Sequence, residues 1–394
     1  MEFPSSGVQH TLSVEEYDTA KFFAHARQQA DTRKFDDMMV VDMDCHFEEA
    51  NSFRAIAKCM DDPVEQHFAM SASNGGRRPA VPFNIGYEDA GGRMQRFATA
   101  KLEKTPDNIH RDIAIANRRM DAMGVKYSCL LPTTALRLGY QPKKTFEVGF
   151  ALAYNRWLCE TLLPQAPRMR GMLYLPLYDD KACASTVEEL GDMPGVAGAV
   201  IASPRYASVH HSGFMRTYKA LEERGLVLAF HSGANWGDRT MSLSNRYLAV
   251  KSLGGPHFNT VHLTNWLVNG LPERLPKLKV LWMESGIAWA PALMMRLDAE
   301  YMMRSSDAPL LKRKPSSYMR EMFFSTQPLE RPDDLSLLEA MFKAMNAETQ
   351  LVWGSSFPNS DFDLPSTVYD LPFLTDKARQ NILGGTAAKL LKLG

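Results

Sequence analysis

From residue 38 onward the chain repeats one unit eight times: a short, largely apolar run followed by a longer amphipathic stretch. The runs are Met38–Asp44, Lys126–Leu131, Met169–Leu175, Gly198–Ala202, Leu226–Phe230, Lys279–Met283, Glu321–Ser325 and Gln350–Gly354. Apolar residues that do not alternate with polar ones suit strands covered on both faces, as in a parallel sheet. Helical patterns lie between them at Ile113–Met123, Phe146–Leu163, Asp180–Leu190, Gly213–Arg224, Thr260–Leu271, Pro291–Arg304 and Asp334–Met345, with a last helix within Asp376–Leu393. Eight strands alternating with eight helices predict an α/β protein of the (β/α)8 TIM-barrel class. A doubly wound open sheet is the alternative, but no glycine-rich turn follows the first strand.

Residues 1–37 read as an N-terminal arm outside the core and 38–394 as the barrel. Residues 50–110, rich in polar, Gly and Pro positions, form an insertion after strand one. An insertion there lands on the C-terminal face, where it is either a cap over the site or a contact between subunits.

Composition removes several functions. Basic and acidic residues balance at 45 each, so there is no long-range pull toward nucleic acid or an anionic membrane. No apolar run is long enough to span a bilayer. The first residues carry Glu15, Glu16 and Asp18 and lack the apolar stretch of a signal peptide. Five cysteines, none in a CxxC pair, argue against a disulfide scaffold or a cysteine zinc knot, and a reducing cytoplasm is the default compartment.

Barrel chemistry collects where strands end at the C-terminal face. Strand one ends in Asp42-Met43-Asp44-Cys45-His46, and simple alternation places Asp42, Asp44 and His46 on one side with Met43 and Cys45 on the other. Strand five ends in His231, strand six in Glu284, and strand eight in Ser355-Ser356-Phe357-Pro358-Asn359. A lone histidine at a strand end is more often hydrogen-bonded structure than a ligand, and a lone glutamate is often a salt bridge. Carboxylate and imidazole converging from strands one, five and six carry more weight, and suit Zn²⁺, Mn²⁺ or Fe²⁺ better than Ca²⁺ or Mg²⁺.

The segment Asp42–His46 resembles the strand-one metal motif of the amidohydrolase superfamily in its Asp-x-His form. More narrowly, the chain resembles the amidohydrolase-related branch that includes aminocarboxymuconate semialdehyde decarboxylase and the aromatic acid decarboxylases. Phe230-His231-Ser232-Gly233, Pro272–Lys279, Glu284–Pro291, Arg296-Leu297-Asp298, Phe324–Pro328 and Asp361–Ser366 extend the likeness from about residue 38 to the C-terminus. The resemblance implies that Asp44, His46 and His231 hold a divalent metal, Zn or Mn, and that Glu284 falls where many relatives have a substrate-touching histidine. It also implies a small aromatic or unsaturated carboxylate as substrate, and a homodimer.

Strand eight departs from the family. Relatives carry a Ser-Asp-Tyr/Phe-Pro-His pattern whose Asp binds metal and transfers a proton; here Ser356 stands for the Asp and Asn359 for the His. A serine hydroxyl is a poor ligand and a poor general base. Three accounts are open: a metal-dependent lyase or hydrolase in which Glu284 moves the proton; a metal-free acid–base enzyme using Asp44, His46, His231 and Glu284; and a catalytically silent binding protein, natural or with Ser356 introduced. Among enzymes, C–C cleavage by decarboxylation or hydrolysis comes before C–N hydrolysis.

Trp236 and Arg239, after His231, suit stacking on an unsaturated ring and pairing with a carboxylate. His262, read as the start of the helix before strand six, is a further pocket candidate, with a surface or capping role as its alternative. Cys45 is expected to point away from the mouth and pack. The 23 methionines, Met294-Met295 and Met302-Met303 among them, read as core and interface filling.

Overall fold

The structure is a computed structural model that describes residues 19–47, 49–74, 105–106, 108–233, 237–359 and 362–393. Eight parallel strands form one sheet in sequence order: β1 (Val41–Phe47), β2 (Tyr127–Pro132), β3 (Met169–Tyr174), β4 (Val196–Ala202), β5 (Val227–His231), β6 (Lys279–Met283), β7 (Phe323–Ser325) and β8 (Leu351–Val352). Every residue of β1 and β5 is buried, as expected for strands walled by helices outside and side chains within.

Backbone hydrogen bonds close the barrel between β1 and the segment following β8. Met43 N–H donates to Trp353 O at 3.0 Å, Ser356 N–H to Asp44 O at 2.7 Å and His46 N–H to Phe357 O at 2.7 Å. The closing seam therefore runs alongside Asp44. The expected (β/α)8 barrel is the fold.

Among the described residues, the helices around the barrel include α1 (Thr19–Arg33), α2 (Phe53–Ala57), α3 (Pro63–Asn74), α4 (Arg111–Met123), α5 (Lys144–Trp157), α6 (Asp180–Leu190), α7 (Met215–Arg224), α8 (Tyr247–Val268), α9 (Trp289–Arg304), α10 (Leu335–Ala344) and α11 (Thr386–Leu390). Local chemistry sets their ends. Asp179 caps α6, its carboxylate accepting from Lys181 N–H at 2.9 Å and Ala182 N–H at 3.0 Å. Gly124 and Gly225 end α4 and α7 at φ 70° and 58°, a left-handed turn that glycine adopts without a side-chain clash.

Two sequence expectations change, and a third falls mostly outside the described residues. The arm does not stand wholly apart: along α1, Phe23, Ala26 and Ala30 are buried, and Arg27 donates to Asp121 O at 2.8 Å. Within the insertion, α2 and α3 pack on α5 through Phe53 stacked on Phe150 at 5.0 Å and Phe68 edge-on to Phe146 at 5.5 Å. Residues 75–104 and 107, the remainder of the expected cap or interface, lie outside the described residues. Finally, α8 begins at Tyr247, not near Thr260, and His262 lies well inside it. Gly254-Gly255-Pro256 reads as a break in isolation, yet Val250, Gly254, Phe258 and His262 are buried along one continuous helix. No helix among the described residues is long and apolar enough to cross a membrane.

Candidate metal centre

Strand alternation holds in β1 only until an irregularity interrupts it. Asp42 pairs with Ser128 but Cys45 with Leu130, so β1 spends three steps where β2 spends two. One extra residue reverses which face the following side chains occupy. Asp42 consequently turns toward α4, while Asp44 and His46 come together, contrary to the expectation that all three share a face.

Asp44, His46 and His231 are buried, and their ligand atoms lie within 4.8 Å of one another. Asp44 Oδ1 is 3.1 Å from His46 Nε2 and 3.4 Å from His231 Nε2. The rings stand edge-to-face, with centroids 5.0 Å apart. Each imidazole is oriented from behind: His46 Nδ1 donates to Pro132 O at 3.0 Å and His231 Nδ1 to Ser232 O at 2.8 Å. Both Nε2 atoms are thereby left as lone-pair donors facing Asp44.

Both Asp44 oxygens and both Nε2 atoms are buried without a hydrogen-bond partner. Buried polar atoms are ordinarily satisfied, so four unpaired lone-pair-bearing atoms around one point call for a positive centre. Two imidazoles and a carboxylate are a ligand set for Zn²⁺ or Mn²⁺, with coordination positions to spare. The residues present fit such an ion. In its absence, burial lowers the pKa of His231, but Asp44 and Glu284 outweigh this and raise it to about 9. Burial likewise works against ionised Asp44, yet His231 and His46 hold its carboxyl well below the usual carboxylate range.

Glu284 joins the triad from outside. Its Oε2 is 3.3 Å from His231 Nδ1 and its Oε1 is 3.3 Å from Lys251 Nζ on α8. Ser356 sits at the closing seam, fully buried at φ 56°, and its hydroxyl accepts from Asn359 Nδ2 at 2.8 Å. The strand-eight end thus contributes a neutral hydroxyl–amide pair beside Asp44.

The other candidates scatter. His262 is buried behind the strands, its Nε2 donating to Ser203 O at 2.7 Å; burial pushes its pKa down to about 4, so it is a neutral structural bridge from α8 to the end of β4. Arg239 is exposed, its guanidinium 3.7 Å above the Tyr206 ring. Trp236 lies outside the described residues. Cys45 packs as expected, with burial pushing its thiol up to about 12. Lys251 was missed because its helix was expected to start later; a lysine placed one turn into a helix that follows a ligand-bearing loop was the available signal.

A family model described as amidohydrolase matches residues 41–393. No curated protein sequence matches the chain. Among solved structures, an amidohydrolase from Mycobacterium avium subsp. paratuberculosis K-10 superposes with a TM-score of 0.69 at 16% identity, covering 90% of this chain and 99% of that one. The 5-carboxyvanillate decarboxylase of Sphingomonas paucimobilis gives 0.62 at 18% identity over 91% and 100% of the two chains. A dihydroxybenzoic acid decarboxylase from Polaromonas sp. JS666, solved with manganese and the inhibitor 2-nitroresorcinol, gives 0.61 at 18% identity over 90% and 97%.

Proposed function

The chain belongs to the amidohydrolase family, a family of enzymes, and from that premise we propose that it is a metal-dependent lyase removing carbon dioxide from a small aromatic or unsaturated carboxylate. The observation that carries this reading is the convergence of unpaired Asp44, His46 and His231 atoms at one buried point. Decarboxylases of aromatic acids among the similar folds support the choice of reaction.

Asp44, His46 and His231 would hold the ion. A bound divalent cation supplies a positive centre that polarises a carboxylate or phenolate oxygen. Ser356 and Asn359 donate and accept hydrogen bonds without changing charge, which suits orienting a substrate oxygen rather than protonating a ring carbon. A homodimer and a cytoplasmic location belong to the same proposal.

A metal-free acid–base enzyme is the second reading, favoured by one observation: the His231 ring lies between two carboxylates, its Nε2 3.4 Å from Asp44 Oδ1 and its Nδ1 3.3 Å from Glu284 Oε2. The test is carbon dioxide release from a panel of hydroxylated benzoates and unsaturated acids, before and after chelation and after adding back Mn²⁺ or Zn²⁺. Release lost on chelation and restored by either ion is the expected result. Release that survives chelation selects the second reading, and none from any acid with the ion bound ends the decarboxylase assignment.

A further inference from the structure

The two edges of the His231 ring meet different surroundings. Nε2 faces the triad, 3.4 Å from Asp44 Oδ1. Nδ1 donates to Ser232 O, and Glu284 Oε2 lies 3.3 Å from the same nitrogen. The glutamate is therefore across the ring from the point where the three ligands converge. Its second oxygen faces Lys251, whose side chain is 39% exposed while that of Glu284 is 10% exposed. A line of charge runs from the protein surface through the glutamate to the back of a ligand.

The backbone is set to put it there. Glu284 has φ 51°, in the left-handed region that side chains other than glycine adopt only when their surroundings compel it. Those surroundings are on both sides: Glu284 N–H donates to Ser325 Oγ at 3.3 Å, and the Ser232 hydroxyl donates to Glu284 O. Ser232 thus bonds His231 with its carbonyl and Glu284 with its hydroxyl, tying the two residues to one point. Asn259 Nδ2, from α8, donates to Met283 O at 3.2 Å just before the turn.

We propose that Glu284 is a positioning residue that acts on the cation site through His231, its negative charge beside Nδ1 fixing the ring and strengthening Nε2 as a donor. This rests on the cation-binding triad of the proposed function. It gives Glu284 a task other than proton transfer to the substrate. Carboxylates behind a ligating imidazole raise its basicity, and removing them typically weakens metal binding about 10- to 100-fold. Lys251 holds the outer oxygen, so that the inner one stays at the ring.

Zinc is a suitable probe because it is diamagnetic. Its affinity is measured on the full chain by competition with a chromogenic chelator, together with imidazole ¹⁵N spectra of the zinc-loaded protein. Glu284→Gln, which keeps size and loses charge, is expected to bind zinc at least about tenfold more weakly with an unchanged far-UV spectrum. It should also shift the His231 ring signals while leaving those of His46 in place. Unchanged affinity, or equal shifts at both rings, overturns the proposal. If Glu284→Gln does not fold, the parent itself is the test, through the protonation of His231 Nδ1 in the zinc-loaded protein. A zinc-loaded parent with an unprotonated Nδ1 at His231 overturns the proposal without any variant. A parent that binds no zinc removes the proposed function before variants are compared, so the two failures are told apart.

Discussion

Two buried ionic clusters lie on opposite sides of the first strand, two residues apart in sequence, and they are built differently. Asp42 faces Arg119 of α4. Arg119 donates to Asp42 Oδ2 through Nη1 and to Ser128 Oγ at 2.6 Å through Nη2. Ser355 adds its hydroxyl to Asp42 Oδ2 at 2.6 Å and its N–H to Oδ1 at 2.8 Å, and Asp44 N–H reaches Oδ1 at 3.0 Å. Both carboxylate oxygens are engaged, and within this cluster only Arg119 Nε lacks a partner. Asp44, as deeply buried, leaves both oxygens unbonded and faces two imidazole nitrogens equally unbonded. Burial lifts the Asp42 pKa despite Arg119 and Ser355, whereas His231 and His46 bring that of Asp44 down despite burial. Burial of charge is thus no mark of function by itself. One cluster ties α4, β1, β2 and the closing seam together, and the other is kept open for a positive guest.

The sharpest way to break this contrast is to remove a member of each cluster. Arg119→Leu leaves Asp42 as an unpaired buried carboxylate, and a loss of about 3–5 kcal/mol in urea unfolding is expected. His46→Asn, in the open cluster, is expected to hold cation-free stability within about 1 kcal/mol while abolishing stoichiometric cation binding. Equal losses in the two variants would dissolve the distinction.

His262 tests the satisfied kind of buried group by pH. Its folded pKa of about 4 lies below the unfolded value of 6.5, so the unfolded chain takes up the proton first as pH falls. Stability should be fully present above pH 6.5 and decline toward pH 4, by up to about 3 kcal/mol. A His262→Gln variant should show a correspondingly flatter profile; identical profiles would mean the bridge to Ser203 is not what the acid limb reports.

Cation addition is the next effect in size. At about a hundredfold excess over Kd, Zn²⁺ should stabilise the parent by about 2.7 kcal/mol, read from denaturation midpoints, and leave Asp44→Asn unmoved. A comparable gain in the variant would place the ion elsewhere. Arg239→Ala, outside both clusters, is expected to cost no more than about 1 kcal/mol through its lost stacking on Tyr206. A large effect on turnover with unchanged stability would instead bring Arg239 into substrate binding.

Much of the barrel was legible because each strand announces itself locally. The apolar runs ending at Asp44, His231 and Glu284 are strands whose C-terminal ends face one mouth, and those residues do meet. Asp42 was misplaced because alternation assumes an uninterrupted ladder, and the irregularity between Asp42 and Cys45 exists only in the pairing with β2. His262 was misread, and Lys251 missed, for a related reason. The Gly-Gly-Pro stretch weakens a helix locally, and the buried face from Val250 to His262, which restores it, is supplied by the barrel wall.

By itself, then, the amino-acid order determined the fold class and named Asp44, His46 and His231, since strand period and strand-end chemistry are short-range properties. Tertiary structure decided which acid of the first strand faces the site, that Ser356 enters the seam next to Asp44, and that Glu284 stands behind His231 with Lys251 at its outer oxygen. Side-chain direction is set relative to the chain's own strand, but which side chains meet depends on register, bulges and closure. Those are settled only when strands distant in sequence pair and the last of them bonds to the first.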